Sequence, residues 1–273
     1  MPLSARRLGV IGWPVFHSRS PAMQRAALRA AGLDAWTYQH VPAPPQLAGE
    51  IIAALAGAGF AGVNVTVPHK HLALAMADSA SPAARAIGAA NHLAFSREGA
   101  IAAENTDAPG MIAAIGRDLA GESAMVLGSG GTARAACWAL REAGATVAVW
   151  NRTPERARTL AKEFGIEAVQ RPRAARVLVN TTTVGMDGRL SEAATLEDLA
   201  LGTDELGSYE QVVDFVYSST PTRLVTIARR MGIATVDGLE ILVGQGALSF
   251  EHWTGAVASL EVMRAAAEGV LDG

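Results

Sequence analysis

Ala124-Met125-Val126-Leu127-Gly128-Ser129-Gly130-Gly131-Thr132-Ala133-Arg134 is the stretch on which the fold reading turns. Four apolar residues predict a buried strand, the glycine cluster predicts a tight turn, and Thr132 to Glu142 reads as a helix. Strand, glycine turn and helix in that order make the opening of a nucleotide-binding unit. Gly128 permits the turn, Gly130 lets the backbone approach a pyrophosphate, and Ala133 occupies the close-packing third position.

The next predicted strand, Thr146 to Trp150, bears on which nucleotide is bound. A fold that selects NAD places Asp or Glu about 20 residues beyond the glycines to bind the ribose 2′-hydroxyl. Here the strand runs into Asn151-Arg152-Thr153-Pro154, with no carboxylate. Arg152 can pair with a 2′-phosphate or stack on an adenine, and Thr153-Pro154 reads as an N-cap and first helical residue. Arg156 then falls in the first helical turn, where the helix dipole disfavours a cation; a bound phosphate removes that conflict. NADP is therefore favoured over NAD, whereas Arg158 reads as a solvated surface charge. Later strands are predicted at Val177 to Asn180 and Gln211 to Phe215.

About 120 residues of α/β character precede the glycine turn, too many for an extension. They contain predicted strands at Leu8 to Ile11, Thr37 to Val41 and Gly62 to Val67, and a helix with Ser20 as N-cap, Pro21 at its first position and Gly32 at its end. Two further helices, Leu239 to Thr254 and Ala256 to Glu268, close the chain. The fold class is α/β in two domains: an N-terminal α/β substrate domain with a mainly parallel sheet (1–106 plus 238–273) and a Rossmann-type domain (107–237). The substrate is expected between them.

With 23 Lys and Arg against 26 Asp and Glu, the net charge of the 273-residue chain is −3, and half its residues are hydrophobic. That composition excludes disorder and the basic surface that nucleic acid binding demands. Cys137, the single cysteine, excludes an intrachain disulfide and a cysteine metal cluster and fits a reducing compartment. Arg6-Arg7 before Leu8 to Ile11 imitates a signal peptide, but Gly12, Trp13, Pro14 and His17 interrupt the apolar run. The run Ile51 to Val63 carries Gly57, Gly59 and Gly62 and falls short of the roughly 20 residues of a membrane span. A cytoplasmic protein with no membrane partner is expected.

Polar residues cluster after the apolar strands of the first domain: His17-Ser18-Arg19-Ser20-Pro21, Asn64-Val65-Thr66-Val67-Pro68-His69-Lys70, and Asn105-Thr106-Asp107. Ligands of α/β sheets bind at the carboxyl ends of strands, where all three groups can lie. Each alone has a plainer reading: Ser20 as a helix cap, Asn64 and Thr66 as backbone partners, Lys70 as a surface lysine. His69 and His71 lack a third histidine spaced to complete a metal site, so no metal is expected.

Taken together with Gly12-Trp13-Pro14, Gly88-Ala89-Ala90-Asn91, Gly128 to Arg134, Asn151-Arg152-Thr153 with Arg156, Tyr217 with Thr222, and Asp237-Gly238-Leu239 with Gln245, these groups follow the order and approximate spacing of the shikimate dehydrogenases. The resemblance covers nearly the whole chain. It implies NADPH-dependent, reversible reduction of 3-dehydroshikimate to shikimate, on the route to chorismate and the aromatic amino acids. Lys70 and Asp107 match the family's catalytic pair: a lysine ammonium can stabilise the alkoxide left by hydride addition and deliver its proton, with Asp107 orienting it. Ser18 and Ser20 match hydroxyls for the substrate carboxylate; Thr66, Asn91, Tyr217 and Gln245 match the lining of the ring-hydroxyl pocket. Ser129, Gly131 and Thr132 join Gly128 and Gly130 at the cofactor phosphates, Asn151, Arg152, Thr153 and Arg156 match its adenosine end, and Phe215 and Gly238 match positions near the nicotinamide.

Gln24-Arg25, His92, Ala108-Pro109 and Ser219 depart from the family's common pattern, and His92 and Pro109 are expected to border the pocket. Same-class alternatives are quinate/shikimate or aminoshikimate dehydrogenase; Ser20 leans toward shikimate, since threonine there accompanies quinate use. The different-class alternative is a catalytically inactive NADP-sensing protein. The partner is a small-molecule substrate, and the chain is expected to be a monomer or homodimer.

Overall fold

The computed structural model describes residues 6–186, 188–218 and 220–269. Two compact units emerge, one formed by the chain through Gly110 and again from Leu242 onward, the other by Met111–Ile241.

The first unit holds strands β1 (Arg7–Gly12), β2 (Thr37–Pro42), β3 (Phe60–Val65), β4 (Ser79–Ala80), β5 (His92–Phe95) and β6 (Ile101–Glu104). Helices α1 (Ser20–Ala30), α2 (Ala48–Gly57), α3 (Lys70–Ala75) and α4 (Pro82–Ile87) alternate with them, and α5 (Asp107–Ile115) begins where they end. The strand order is β2-β1-β3-β5-β6-β4. β1 pairs in parallel with β2 and β3, and β4 with β6, while β5 runs antiparallel to both β3 and β6. Two reversals restore the direction, so β6 runs the same way as β1 and β3. The residues after β1, β3 and β6 therefore share one edge of the sheet with the residue that precedes β5, Asn91. Ile11, Ile52, Val63, Leu93 and Phe95 anchor the core beneath that edge.

The second unit holds β7 (Ser123–Leu127), β8 (Thr146–Trp150), β9 (Glu167–Ala168), β10 (Val177–Asn180), β11 (Gln211–Asp214) and β12 (Ala234–Val236). Its helices are α6 (Gly131–Glu142), α7 (Pro154–Phe164), α8 (Glu192–Asp198), α9 (Thr203–Leu206) and α10 (Arg223–Arg230). All pairings are parallel, in the order β12-β11-β10-β7-β8-β9. This is the doubly wound dinucleotide-binding order, which reverses between β7 and β10 and opens its ligand crevice at their carboxyl ends. The chain returns to the first unit through α11 (Gly238–Thr254) and ends in α12 (Leu260–Glu268).

Both crossings between units fall inside helices, α5 and α11. The division expected after residue 106 and before 238 coincides with the first residues of those helices, whereas the compact units part about one turn later. Helix α1 starts one residue earlier than expected: Arg19 is the N-cap without a side-chain cap bond, and Ser20 lies within the helix. β3 stops at Val65, because His69 N–H bonds back to the Thr66 carbonyl and turns the chain. β11 likewise stops at Asp214, one residue short of Phe215. The last helix starts at Leu260 rather than Ala256, capped by the Ser259 hydroxyl, which accepts from Val262 N–H. No helix of the described residues is long and apolar enough to cross a membrane.

Candidate active site

Lys70 and Asp107 open α3 and α5, the helices that follow β3 and β6, and so meet at the shared sheet edge. Lys70 Nζ donates to Asp107 Oδ2 at 2.5 Å, and both side chains are about nine-tenths buried. The other carboxylate oxygen, Oδ1, accepts from Asn91 Nδ2 at 2.8 Å. Asn91 Oδ1 in turn accepts from Thr106 N–H at 2.7 Å, and its amide also faces Gln245 Oε1 at 3.3 Å. Asn105 seats the start of α5: its Nδ2 donates to the Ala89 carbonyl, and its Oδ1 accepts from Ala108 N–H. An ammonium, a carboxylate and two amides thus converge, each orientated by a partner other than solvent. Such a cluster can offer a proton and hydrogen bonds to an oxygen that becomes negative.

Gln245 reaches this cluster because α11 lies close against α5. A Cβ at Gly110 would stand 2.8 Å from Gln245 N, so only glycine permits the approach. Two supporting residues escaped the sequence reading. Ser249, one turn beyond Gln245 on α11, accepts from Asn64 Nδ2 at 2.8 Å and lies 3.2 Å from Thr106 Oγ1. Tyr38 donates to Asn64 Oδ1 at 2.8 Å. Its spacing one turn beyond Gln245 is the only sequence sign of the first, and nothing in the β2 pattern marks the second.

Ser18 and Ser20 form their own pair, hydroxyl to hydroxyl at 3.2 Å, with Ser20 almost wholly buried. Ser20 is thus free of the capping role. Thr66 is partly buried after β3, and a Cβ at Gly12 would collide with its methyl at 2.4 Å, so Gly12 lets the loops after β1 and β3 lie together. His69 and His71 each bond a backbone carbonyl, of Ala43 and Gly88 respectively.

His92 packs among other side chains. It is buried, its ring stacked on Trp253 with centroids 4.6 Å apart and edge-on to His252 at 5.3 Å. Burial, reinforced by the neighbouring His252 charge, lowers its pKa to about 3. Pro109 is exposed, Gln24 is buried with its amide donating to the Gly246 carbonyl, and Ser219 lies outside the described residues.

In the second unit the glycine turn has the geometry its sequence implies. Gly128 adopts φ +120°, and a Cβ there would meet Thr181 Oγ1 at 2.3 Å. Gly130 is the N-cap of α6, with open space where a Cβ would point, and Gly131 begins the helix; Ser129, Gly131 and Thr132 are partly buried around it. At the end of β8, Asn151 Nδ2 donates to the Thr153 carbonyl at 3.0 Å. Thr153 is the N-cap of α7, though its side chain makes no cap bond. Arg152 and Arg156 are exposed and have no ion-pair partner among the described residues, whereas Arg158 pairs with Glu155. Arg152 lines a cleft of about 720 Å³, together with Trp150, Asn151, Arg171, Leu196 and Thr203 among others. An open glycine turn, two free guanidinium groups and no carboxylate at 151–153 fit a dinucleotide carrying an extra phosphate.

Phe215, Tyr217 and Gly238 also belong to the second unit. Gly238 is where α11 touches the segment after β11, since a Cβ there would stand 2.5 Å from the Val216 carbonyl oxygen. Asp214, just before Phe215, is fully buried and was not singled out from sequence. Burial pushes its acid up to about 6, against hydrogen bonds from Thr222 Oγ1, Val216 N–H and Asn180 Nδ2 that favour the carboxylate.

Comparison with known proteins bears on all of this. Residues 10–93 match the shikimate dehydrogenase substrate binding domain, 111–184 the shikimate/quinate 5-dehydrogenase domain, and 238–268 the shikimate 5′-dehydrogenase C-terminal domain. The NADP(+) shikimate dehydrogenase of one Thermus thermophilus strain is 43% identical over 97% of this chain and 98% of its own. The shikimate 5-dehydrogenase of another strain of Thermus thermophilus, solved in complex with NADP(H) and shikimate, is 40% identical and superimposes with a TM-score of 0.84 over 97% of this chain and 100% of its own. A 5-ketofructose reductase of Gluconobacter sp. strain CHM43 superimposes equally well, TM-score 0.84 over 98% of this chain and 99% of its own, at 28% identity. Backbone shape is thus shared across substrates, and family membership is read instead from the three domain matches and the 43% identity over nearly the full length of both chains. By that measure the chain belongs to the shikimate dehydrogenase family.

Proposed function

We propose that the protein catalyses the reversible, NADP-linked reduction of 3-dehydroshikimate to shikimate, within the biosynthesis of chorismate and the aromatic amino acids. The observation that carries this reading is the buried Lys70–Asp107 pair, held by Asn91 beside Gln245, in the unit that matches the family's substrate binding domain.

NADPH, when bound, supplies the hydride. Lys70 then faces the carbonyl oxygen on which negative charge develops, and its ammonium both stabilises that charge and holds the proton the alcohol needs. Asp107 fixes the direction of Lys70 Nζ, and Asn91 fixes Asp107. Ser18 and Ser20 take the substrate carboxylate through hydroxyl donors. Thr66, Asn91, Tyr217 and Gln245 read the ring hydroxyls, for which an amide that can both donate and accept is suited.

For the cofactor, Gly128, Ser129, Gly130, Gly131 and Thr132 cradle the pyrophosphate at the start of α6, where backbone N–H groups are free. Asn151, Arg152, Thr153 and Arg156 hold the adenosine end with its 2′-phosphate, and the neighbouring cleft takes the adenine. Phe215 and Gly238 flank the nicotinamide. On this reading the enzyme is cytoplasmic and acts as a monomer or homodimer.

Steady-state oxidation of shikimate and quinate with NADP and with NAD tests the proposal. Turnover of shikimate with NADP, exceeding that with quinate or with NAD, is the expected result. NADP binding without turnover of either acid would favour the inactive sensor instead, and comparable rates with NAD would overturn the role given to Arg152.

A further inference from the structure

Asp214 is the one fully buried carboxylate among the described residues whose hydrogen bonds tie together separate segments of the second unit, and the proposed mechanism makes no use of it. It stands at the carboxyl end of β11, opposite Asn180 at the carboxyl end of β10. Its Oδ1 accepts from Asn180 Nδ2 at 2.9 Å and from Val216 N–H at 3.1 Å; its Oδ2 accepts from Thr222 Oγ1 at 2.6 Å. Two of these partners continue the network. Asn180 Oδ1 accepts from Thr182 N–H and Thr182 Oγ1, which orders the loop after β10. Thr222 Oγ1 accepts from Val225 N–H and so caps α10. One carboxylate therefore anchors the start of the Thr181–Val184 loop and both ends of the segment from Phe215 to Thr222.

An ionised carboxylate suits this position because each of its three hydrogen-bond partners is a donor, and an aspartate accepts without donating. Gly238 supplies the opposite wall: the Val216 and Phe215 carbonyl oxygens lie 2.5 Å and 2.8 Å from where its Cβ would be. The segment bearing Phe215 and Tyr217 is held from below by Asp214 and from the side by Gly238.

We infer that Asp214 is a positioning residue for hydride transfer: through Val216, Thr222 and Asn180 it fixes the Phe215–Tyr217 segment and the Thr181–Val184 loop against the nicotinamide end of the cofactor. The inference rests on the cofactor reading above, and it assigns to a residue that touches no reactant the task of holding those that do. The adenosine end is held by residues 151–156, which the Asp214 network does not reach.

The test compares Asp214→Asn with the parent enzyme on three measurements: kcat with NADPH and its 4-deuterated form, the fluorescence of bound NADPH, and affinity for adenosine 2′,5′-bisphosphate, which lacks the nicotinamide. Expected are a fall in kcat of about 10- to 100-fold, as for a small misplacement of reacting atoms, a larger deuterium isotope effect, NADPH emission shifted toward that of the free cofactor, and unchanged affinity for the bisphosphate. Thr222→Val removes the hydroxyl donor and should reproduce these changes, while Thr222→Ser, which keeps it, should restore parental behaviour; this pair carries the test if Asp214→Asn does not fold. Parental kcat and isotope effect in Asp214→Asn or Thr222→Val would overturn the inference, as would equal weakening of NADPH and the bisphosphate. A parent enzyme that turns over no shikimate would instead overturn the functional reading, and this inference with it.

Discussion

Lys70 Nζ lies 2.5 Å from Asp107 Oδ2, and each residue is the first of its own helix. The two placements are electrostatically unequal. A helix start favours Asp107 and disfavours Lys70 by about 0.3–1 kcal/mol apiece at an exposed site. The carboxylate offsets the lysine's disadvantage and, in a largely buried site, fixes the direction of Nζ. Lys70→Met keeps the apolar stem and removes the ammonium, so kcat is expected to fall by about 10²- to 10⁴-fold. Asp107→Asn keeps the shape but leaves Lys70 without its counter-charge and is expected to lower kcat as well, by a smaller factor. Steady-state kinetics on shikimate and NADP settle both; turnover within about twofold of the parent in Lys70→Met would remove the residue from the mechanism.

Gly110 determines where Gln245 sits. An added Cβ would meet Gln245 N, Cβ and Cα at 2.8, 3.0 and 3.1 Å, mostly backbone that cannot rotate away. Gly110→Ala is therefore expected to part α5 from α11 locally, at about 1–3 kcal/mol of stability, and to raise KM for shikimate through displaced Gln245. Gly57, the last residue of α2, has open space around the same position and no left-handed backbone requirement. Gly57→Ala should leave kinetics untouched and stabilise by about 0.5–1 kcal/mol. Thermal melts and KM values for the pair check this; a neutral Gly110→Ala would show that the helices yield.

Arg152 lines the cleft at the end of β8 and has no ion-pair partner among the described residues. A hydrogen bond to a charged group is worth about 1.5–3 kcal/mol, or roughly 10- to 100-fold in affinity. Arg152→Ala is expected to reduce kcat/KM with NADPH by that factor and to leave the much lower value with NADH nearly unchanged. The discrimination between the two cofactors should also shrink as salt rises, because exposed charges are screened. An equal loss with both cofactors would place Arg152 on the adenine rather than on the 2′-phosphate.

How far such residues could be read without the structure depended on their surroundings. β8 and β10 begin and end where their apolar runs do, because Thr146 to Trp150 and Val177 to Asn180 are buried strands of a parallel sheet. β5 and β6 were missed: His92-Leu-Ala-Phe and Ile-Ala-Ala-Glu104 are short, and alanine carries little strand preference. With them went the antiparallel reversal that brings Asn91 to the edge where Lys70 and Asp107 stand. Asn91 could be named only from the family pattern, and the support from Ser249, Tyr38 and Asp214 depends on tertiary packing that no local spacing encodes.

His92 shows the same limit, and it gives the protein an acid sensitivity of its own. Its departure from the family pattern pointed toward the pocket, yet its ring is stacked on Trp253 and its Nδ1 has no hydrogen-bond partner among the described residues. Burial first, and the charge of His252 second, lower its pKa from 6.5 to about 3. An unfolded chain therefore takes up a proton at this residue as pH falls below 6.5, while the folded protein does not until near 3. The stabilisation is present in full above pH 6.5 and drains away as pH falls toward the folded value; at about pH 5 the loss amounts to about 2 kcal/mol. His92→Phe retains an aromatic ring against Trp253 and carries no titrating group. Denaturant unfolding at about pH 7.5 and about pH 5 should show the parent losing about 2 kcal/mol more than the variant. Asp214 titrates in both proteins, so its contribution cancels in that difference. Equal losses in parent and variant would mean that His92 is protonated within the fold, which its burial against Trp253 and His252 opposes.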